Sequence, residues 1–387
     1  MYPSIYYLVA DLFGIKIEAL KVVKTYGFFV AIAFLAASYV LSLEMKRKEK
    51  QGLIFPFIEK VWKGKRASVT DLVTSFIIAF LVGYKLIFLV LNLHGFINDT
   101  QGYLLSLKGN LPGGILSGIV YAYLRYREIE KHKLPEPKLE SVSMMPHTLV
   151  GNITLIAAGA GLLGAKVFDT FDYFGTFLQH PFQTLFSFSG LTVYGGIIFG
   201  AAAVLYYTHK KGIPILQMID AAAAPLMLAY GLGRIGCQMA GDGDWGIANP
   251  APKPHWMGFL PDWVWAYNYP HNIVNEGVRI STCMGNHCYA LSPPAYPAPF
   301  YETVMCVTLF FVLWAIRKKI NAPGVMFSIY LAMNGAERFL IELIRVNVKY
   351  HFLGISATQA QIISPLFFVL GIAGILYFSR KHATAPA

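Results

Sequence analysis

The sequence predicts an all-α integral membrane protein that crosses the bilayer about nine times. Hydrophobic residues make up 56% of its 387 residues, charged residues make up 14%, and the mean hydropathy is +0.50. A soluble domain carries about a quarter charged residues, so this composition argues against one. A membrane core of about 30 Å takes roughly 20 apolar residues per helix. The apolar segments run approximately over 26–43, 70–92, 112–125, 147–167, 188–207, 217–236, 299–316, 323–343 and 360–379.

The distribution of basic residues predicts the orientation. Lys and Arg cluster in alternate loops, at 44–69, 125–138, 210–211, 317–319 and 380–381. The loops between them are poor in basic residues, since 93–111 has Lys108 alone and 168–187 has none. Because positive loops stay in the cytoplasm, the N-terminus is predicted outside and the C-terminus in the cytoplasm. The same placement accounts for the net charge of +11 without a nucleic-acid partner.

The longest outer loop, residues 247–298, is predicted to form an ordered cap on the membrane surface. It is rich in Pro, Trp, Tyr and Asn, and a loop of this length is usually functional or disordered. Cys283 and Cys288 lie within it, on the oxidising side of the membrane, which favours a disulfide between them. A zinc site that includes His287 is the alternative, although a fourth ligand is not found nearby.

An arginine between glycines, in Gly233-Arg234-Ile235-Gly236, marks the first candidate site. A charged residue near membrane depth is costly, and by default it indicates a functional site. The flanking glycines, Gly233 and Gly236, allow backbone or ligand to approach closely. Two acids, Asp242 and Asp244, follow within ten residues.

The second candidate is a charged set near the end of the eighth segment. Arg338, Glu342 and Arg345 have spacings of i, i+4 and i+7, which place them on one face of a helix. One interpretation is an ion-pair network that fixes helix packing. The other is that two arginines and one glutamate leave a cation free for a phosphate, which the planar guanidinium binds well.

Weaker signals lie at the outer ends of other segments. Tyr194-Gly195-Gly196 offers a hydroxyl and accessible backbone, but an interfacial tyrosine would look the same. Tyr26 is equally ambiguous alone, and Glu302 could be a first-turn acid that complements the helix dipole. All of these residues fall in the outer half of their segments or just beyond. That shared leaflet predicts one site that takes a lipid headgroup from the outer side.

A faint internal echo pairs Leu81-Val82-Gly83-Tyr84-Lys85 with Leu162-Leu163-Gly164-Ala165-Lys166. It indicates either a duplicated helix pair or a chance recurrence, and both lysines could extend their ammonium groups to the interface.

The order of these motifs resembles the prolipoprotein diacylglyceryl transferase family. The matching phrases are Tyr26-Gly27, Tyr194-Gly195-Gly196, Asp220 to Pro225 leading into Gly231-Leu232-Gly233-Arg234-Ile235-Gly236, Gly241 to Gly246, Tyr301-Glu302 and Arg338-Phe339-x-x-Glu342-x-x-Arg345. The resemblance implies a seven-helix transferase core formed by 26–43 and 147–379, with an extra helix pair at 70–125. It also implies transfer of the diacylglyceryl group from phosphatidylglycerol to the lipobox cysteine of preprolipoproteins, without metal or other cofactor.

Three departures from the family pattern stand in this chain. Tyr194 occupies a position where the family commonly has histidine, and Cys237 occupies one where it commonly has asparagine. The acidic turn reads Gly241-Asp242-Gly243-Asp244-Trp245-Gly246, so either aspartate could be the family's acid.

The resemblance implies roles for the individual residues. Arg234 and Arg338 would bind the phosphate, Glu342 would hold Arg338 or Arg345, and Tyr26 and Tyr194 would donate hydrogen bonds near the reacting centre. The remaining members of the predicted binding site are Gly195, Gly196, Gly233, Gly236, Asp242, Asp244, Gly246, Glu302 and Arg345. The general base is not assigned. Two alternatives stay open, namely a lipid transporter or flippase, and a catalytically silent homologue that binds lipid.

Overall fold

A computed structural model describes the chain except for residues 99–102, 105, 180, 182–183, 185–191, 348, 353–354 and 384–387. The structure is mostly helical. Its helices are α1 (Ile5–Phe13), α2 (Thr25–Lys50), α3 (Val69–Leu91), α4 (Leu93–Asn98), α5 (Leu111–Lys131), α6 (Val150–Asp172), α7 (Phe174–Gln179), α8 (Val193–Lys210), α9 (Ile215–Ala240), α10 (Ala298–Ile316), α11 (Val325–Glu342) and α12 (Gln359–Ala383).

Each of the nine predicted segments coincides with a helix of 18 residues or more. Among the described residues, six of these helices are long and apolar enough to span a membrane by composition: α2, α3, α6, α9, α10 and α12. The prediction of a polytopic helical membrane protein is confirmed. The count of nine spans and the orientation stay predictions, and residues 188–191 of the fifth segment lie outside the described part of the chain.

The chain divides into two compact units, with the division falling within α6 and α8. The first comprises Met1–Ile54, Leu149–Thr154 and Tyr207–Ala387, and the second comprises Phe55–Thr148 and Leu155–Tyr206. In the first unit, small residues let α9 pack closely against its neighbours. A Cβ placed on Gly231 would lie 3.0 Å from Cys306 Cβ, so this glycine permits the contact with α10.

The second unit contains two helical hairpins, α3/α5 and α6/α8, and a two-stranded antiparallel ribbon. The ribbon pairs β1 (Phe57–Lys63) with β2 (Lys138–Met144), from the Phe57↔Met144 pair to the Lys63↔Lys138 pair. Each strand therefore precedes one hairpin along the chain.

The loop predicted as a cap is ordered between α9 and α10. It carries the short pair β3 (Val278–Arg279) and β4 (Tyr289–Ala290), and a disulfide joins Cys283 to Cys288. Two further strands, β5 (Lys349–Phe352) and β6 (Ile355–Thr358), pair before α12. The loop buries aromatic residues, since Tyr269 is fully buried against Trp245 with ring centroids 5.0 Å apart.

Candidate functional site

The buried carboxylate of Glu302 on α10 forms ion pairs with three arginines. Its side chain is fully buried. Arg234 Nε lies 2.8 Å from Glu302 Oε2, while Arg338 Nη1 and Arg345 Nη1 lie 3.1 and 3.2 Å from Oε1. The Tyr230 hydroxyl donates a hydrogen bond of 3.1 Å to Oε1. Glu302 is therefore the centre of the cluster rather than a first-turn acid facing solvent.

Helical spacing brings these groups together. Tyr230 and Arg234 are i, i+4 on α9, and the Arg234 guanidinium lies 5.2 Å from the Tyr230 ring centroid. Arg338 and Glu342 have the same spacing on α11, and their Nη2 and Oε2 atoms are 2.9 Å apart. We call the six residues Arg234, Asp244, Glu302, Arg338, Glu342 and Arg345 the arginine network.

Asp244, rather than Asp242, is the acid that joins this network. Its carboxylate contacts Arg234, and Oδ1 lies 2.5 Å from Arg345 Nη2. Asp242 instead accepts a hydrogen bond from the Asp244 backbone N–H at 3.3 Å, which closes the turn locally. Gly243, with φ of +98°, permits the left-handed conformation between the two acids.

The two aspartates, which lie beyond the end of α9, have opposite pKa shifts. Burial would raise the pKa of Asp244, but Arg234 and Arg345 more than offset it, so the pKa is lowered. Burial raises the pKa of Asp242, and the neighbouring charge of Asp244 raises it further. Asp244 is thus ionised at neutral pH as a counterion.

The backbone fixes the turn to the end of α11. Gly246 and Arg345 form an antiparallel bridge, and the Ile247 N–H donates to Ile344 O at 2.7 Å. The helix ends at Glu342, so the prediction that Arg345 shares one helical face with Arg338 is wrong. Arg345 reaches the network from the following turn because this bridge holds it there.

Replacing Gly246 by Ala should destabilise the protein. A Cβ at Gly246 would lie 2.6 Å from Ile344 O, so the bridge must shift, at a cost of about 1–3 kcal/mol. Gly233→Ala is the matched control, since a Cβ there meets nothing within 4 Å and alanine favours a helix. The measurement is the thermal unfolding midpoint in detergent; equal midpoints for the two variants would contradict the prediction.

The network is balanced in charge. Three arginines face three carboxylates, so the surplus cation predicted from α11 alone is wrong, because Glu302 and Asp244 arrive from other elements. Two groups keep access to the surroundings: the side chains of Arg338 and Asp244 are 22% and 34% exposed. The Arg345 Nε is buried and has no hydrogen-bond partner among the described residues.

Two polar groups on α11 and just after it, one buried and one half-buried, were missed by sequence reasoning. Glu337 is 3% exposed, and neither of its carboxyl oxygens has a hydrogen-bond partner in the described part of the chain. Asn347 donates to Glu342 Oε1 at 2.7 Å. An acid within an apolar helix was itself a signal for Glu337, whereas nothing in the sequence indicated that Asn347 would meet Glu342.

Tyr26 lies at the start of α2, beside α9. A Cβ placed on Gly236 would lie 3.2 Å from Tyr26 O, so Gly236 permits this close approach. The Tyr26 side chain is 46% exposed. Cys237 also faces the network, with Sγ 3.8 Å from Arg234 Nη1.

Tyr194, Gly195 and Gly196 belong to the second unit. The two glycines contact α6. A Cβ on Gly196 would lie 3.2 Å from Gly161 O, and a Cβ on Gly195 would overlap Gly164 O. Close helix packing thus accounts for their size, and the ligand-binding role predicted for them stays a prediction.

Among the described residues, Cys237, Asp242 and Asp244 are close enough to be considered as metal ligands, with ligand atoms within 4.8 Å of one another. Two arginines already contact the Asp244 carboxylate, and their positive charge disfavours a cation at this position.

Asp244→Asn should lower stability more than Asp242→Asn. The first change leaves Arg234 and Arg345 without a charged partner, at an expected cost of about 1–3 kcal/mol, reduced because the carboxylate is one-third exposed. Asp242→Asn keeps a side-chain oxygen that can accept the hydrogen bond from the Asp244 backbone N–H. Because the Asp244 pKa is lowered on folding, its contribution exists above the unfolded pKa and is lost as the pH falls. Thermal unfolding at several pH values measures both effects, and a larger loss for Asp242→Asn would refute the assignment.

Comparison with known proteins identifies a family and relatives that this chain resembles. The sequence model of the family described as prolipoprotein diacylglyceryl transferase matches residues 113–377. The chain is 28% identical over 239 residues to the phosphatidylglycerol–prolipoprotein diacylglyceryl transferase of Symbiobacterium thermophilum, covering 60% of this chain and 78% of that one. It is 26% identical over 285 residues to the enzyme of that name from Chlorobaculum tepidum, covering 68% and 83%. For that of Clostridioides difficile the identity is 28% over 233 residues, covering 60% and 79%.

The matched range contains the whole arginine network and more than half of the chain. The chain belongs to the prolipoprotein diacylglyceryl transferase family.

Proposed function

We propose that this protein transfers the diacylglyceryl group of phosphatidylglycerol to the lipobox cysteine thiol of preprolipoproteins, forming a thioether and releasing glycerol phosphate. The family and the names of its relatives support the reaction. The observation that carries it in this chain is the convergence of three guanidinium groups on Glu302, of which that of Arg338 belongs to a side chain that stays 22% exposed and can meet an anion.

The arginines suit the displacement step. Sulfur attacks the glyceryl carbon that bears the phosphate, the carbon–oxygen bond breaks, and its electron pair stays on the departing phosphate. Negative charge therefore grows at the phosphate, where Arg234 and Arg338 can stabilise it. Glu302 and Glu342 hold the guanidinium groups in place before the lipid binds, which lowers the cost of ordering them.

The lipobox cysteine thiol must lose its proton before it attacks, and two tyrosines are predicted to donate hydrogen bonds near it. A thiol pKa near 8.5 requires only a modest electrostatic push. Tyr194 and Tyr26 are proposed as hydrogen-bond donors near the reacting centre, and the general base stays unassigned. Gly233, where a Cβ would meet nothing within 4 Å, is proposed to leave room for the lipid beside Arg234, and Gly236 is proposed to contribute to the site by letting α2 pack closely there.

The topology that fits this reaction has nine spans, the N-terminus outside and the C-terminus in the cytoplasm of the inner membrane. The arginine network then opens toward the outer leaflet, where the lipobox cysteine of a translocated signal peptide lies. Residues 26–43 and 147–379 would form the transferase core, and residues 247–298 would cap it.

The test uses purified protein, phosphatidylglycerol in detergent micelles and a lipobox peptide. We expect a peptide product heavier by one diacylglyceryl group, and none when the peptide cysteine is replaced by serine. Lipid binding without product would favour the silent homologue. Lipid movement between leaflets of a vesicle, without product, would favour a flippase. Tyr194→Phe and Tyr194→His then separate loss of a hydrogen bond from gain of a base.

A further inference from the structure

The echo between Gly83-Tyr84-Lys85 and Gly164-Ala165-Lys166 extends over whole elements. Corresponding elements start 81 residues apart: Phe57 and Lys138 begin β1 and β2, Val69 and Val150 begin α3 and α6, and Leu93 and Phe174 begin α4 and α7. The second long helices, α5 and α8, begin at Leu111 and Val193. Their first eight residues read LPGGILSG and VYGGIIFG, with glycines in the same three places.

The glycines contact equivalent partners in the two hairpins. A Cβ on Gly83 would meet Gly113 and Ser117, and one on Gly164 would meet the counterparts Gly195 and Phe199. In the first hairpin a Cβ on Gly118 would meet Phe76, and in the second a Cβ on Gly200 would meet Ala157. The two partners occupy equivalent positions in α3 and α6. Chance recurrence of a short motif would not reproduce these contacts.

One backbone hydrogen bond is repeated as well. The Asn110 N–H donates to Tyr84 O at 2.8 Å, and the Thr192 N–H donates to Ala165 O at 3.2 Å. Both bonds attach the start of the second long helix to the end of the first.

The two strands of the ribbon pair with local twofold symmetry. Phe57 pairs with Met144 and Lys63 with Lys138, so the first residue of each strand faces the last of the other. The Lys60↔Ser141 pair, which joins equivalent positions, lies at the centre. Such reciprocal pairing is typical of two identical units.

The copies differ in polar residues at one end. Pro112, Phe88 and Leu91 in the first copy correspond to Tyr194, Asp169 and Asp172 in the second. Asp169 is 5% exposed and lies 3.3 Å from Lys166 Nζ. Lys85, the counterpart of Lys166, donates to the carbonyl oxygen of Lys108 at 3.0 Å instead.

We infer that residues 57–131 are an internal duplicate of residues 138–210 that keeps the packing of the hairpin without its polar end, and that transfer depends on Tyr194 and Asp169 of the second copy. The glycines are common to both copies and therefore serve packing. Asp169 is a positioning residue, which acts by holding Lys166. The functional half of this inference rests on the proposed transferase activity.

Exchange of the eight-residue segments tests the inference. One chimaera carries VYGGIIFG at 111–118, and the other carries LPGGILSG at 193–200. Since the packing residues are equivalent, and proline is tolerated in the first turn of a helix, both chimaeras should insert and unfold cooperatively near the wild-type temperature. The first should transfer within about twofold of wild type, and the second should lose about 100-fold or more, the scale of losing one preorganised donor.

Further variants separate the polar residues from the packing. Restoring tyrosine at position 194 of the second chimaera should recover transfer. Asp169→Asn should lower kcat about tenfold with KM unchanged when assayed well below its thermal midpoint, and the midpoint itself should fall because Lys166, whose side chain is 11% exposed, loses the charge of Asp169. Phe88→Leu at the matched position should leave kcat and KM unchanged. Failure of either chimaera to fold would overturn the duplication, and full transfer by the second chimaera or by Asp169→Asn would overturn the functional half. If the wild type shows no transfer, the proposed function fails, whereas insertion and unfolding of the chimaeras still decide the duplication.

Discussion

Arg234→Ala should abolish transfer while leaving membrane insertion intact. Arg234 contacts both Glu302 and Asp244, and its guanidinium is the one supplied by α9. Loss of a donor aimed at developing negative charge costs about 100- to 1,000-fold in rate, and a phosphate dianion depends on several such donors. The measurement is the rate of product formation with phosphatidylglycerol and a lipobox peptide.

Two comparisons sharpen this prediction. Arg279→Ala removes an exposed arginine in the loop between α9 and α10 and should leave transfer unchanged. Arg234→Lys keeps the charge but loses the planar fork, so it should retain a small fraction of the rate. Arg338→Ala is expected to behave like Arg234→Ala. Full activity in either alanine variant would refute the assignment to phosphate.

Glu302→Gln should give the largest loss of stability. The substitution leaves Arg234, Arg338 and Arg345 to share two carboxylates, and it occurs at a fully buried position. Removing one partner of a buried ion pair costs about 3–5 kcal/mol. We therefore expect a clearly lower unfolding midpoint in detergent and no measurable transfer.

Glu337→Gln is the matched control for Glu302→Gln. Glu337 is an equally buried glutamate, but its carboxyl oxygens have no hydrogen-bond partner among the described residues. Its replacement should leave the midpoint near that of wild type, and Glu337→Leu should raise it, because an unpaired polar group is removed. A greater loss of stability for Glu337→Gln than for Glu302→Gln would contradict the central role of Glu302.

The helices were predictable because the bilayer restricts their length and composition. Every predicted segment matches a helix, and most boundaries agree within a few residues. The differences occur where polar residues continue a helix beyond the apolar run, as in α2, which extends to Lys50 rather than ending at residue 43. Hydropathy detects the membrane core, whereas the helix itself continues into water.

The site was predictable in its members but not in their pairing. Spacing along α11 placed Arg338 and Glu342 together, since that relation is local. The partners of Arg345 and Glu302 are 101 and 68 residues away in sequence, at Asp244 and Arg234. Asp242 and Asp244 lie in a turn, where no helical period applies. The backbone conformation of that turn decides which of the two contacts an arginine.

The shared carboxylate at the centre of the network has a consequence for turnover. On the proposed function, an incoming phosphate must compete with Glu302 and Asp244 for guanidinium groups that are already neutralised. Part of the binding energy is therefore spent on displacing acids, which keeps the affinity for the anion moderate. When glycerol phosphate departs, the acids return to the arginines and help to expel it. We therefore expect glycerol phosphate to inhibit transfer only weakly.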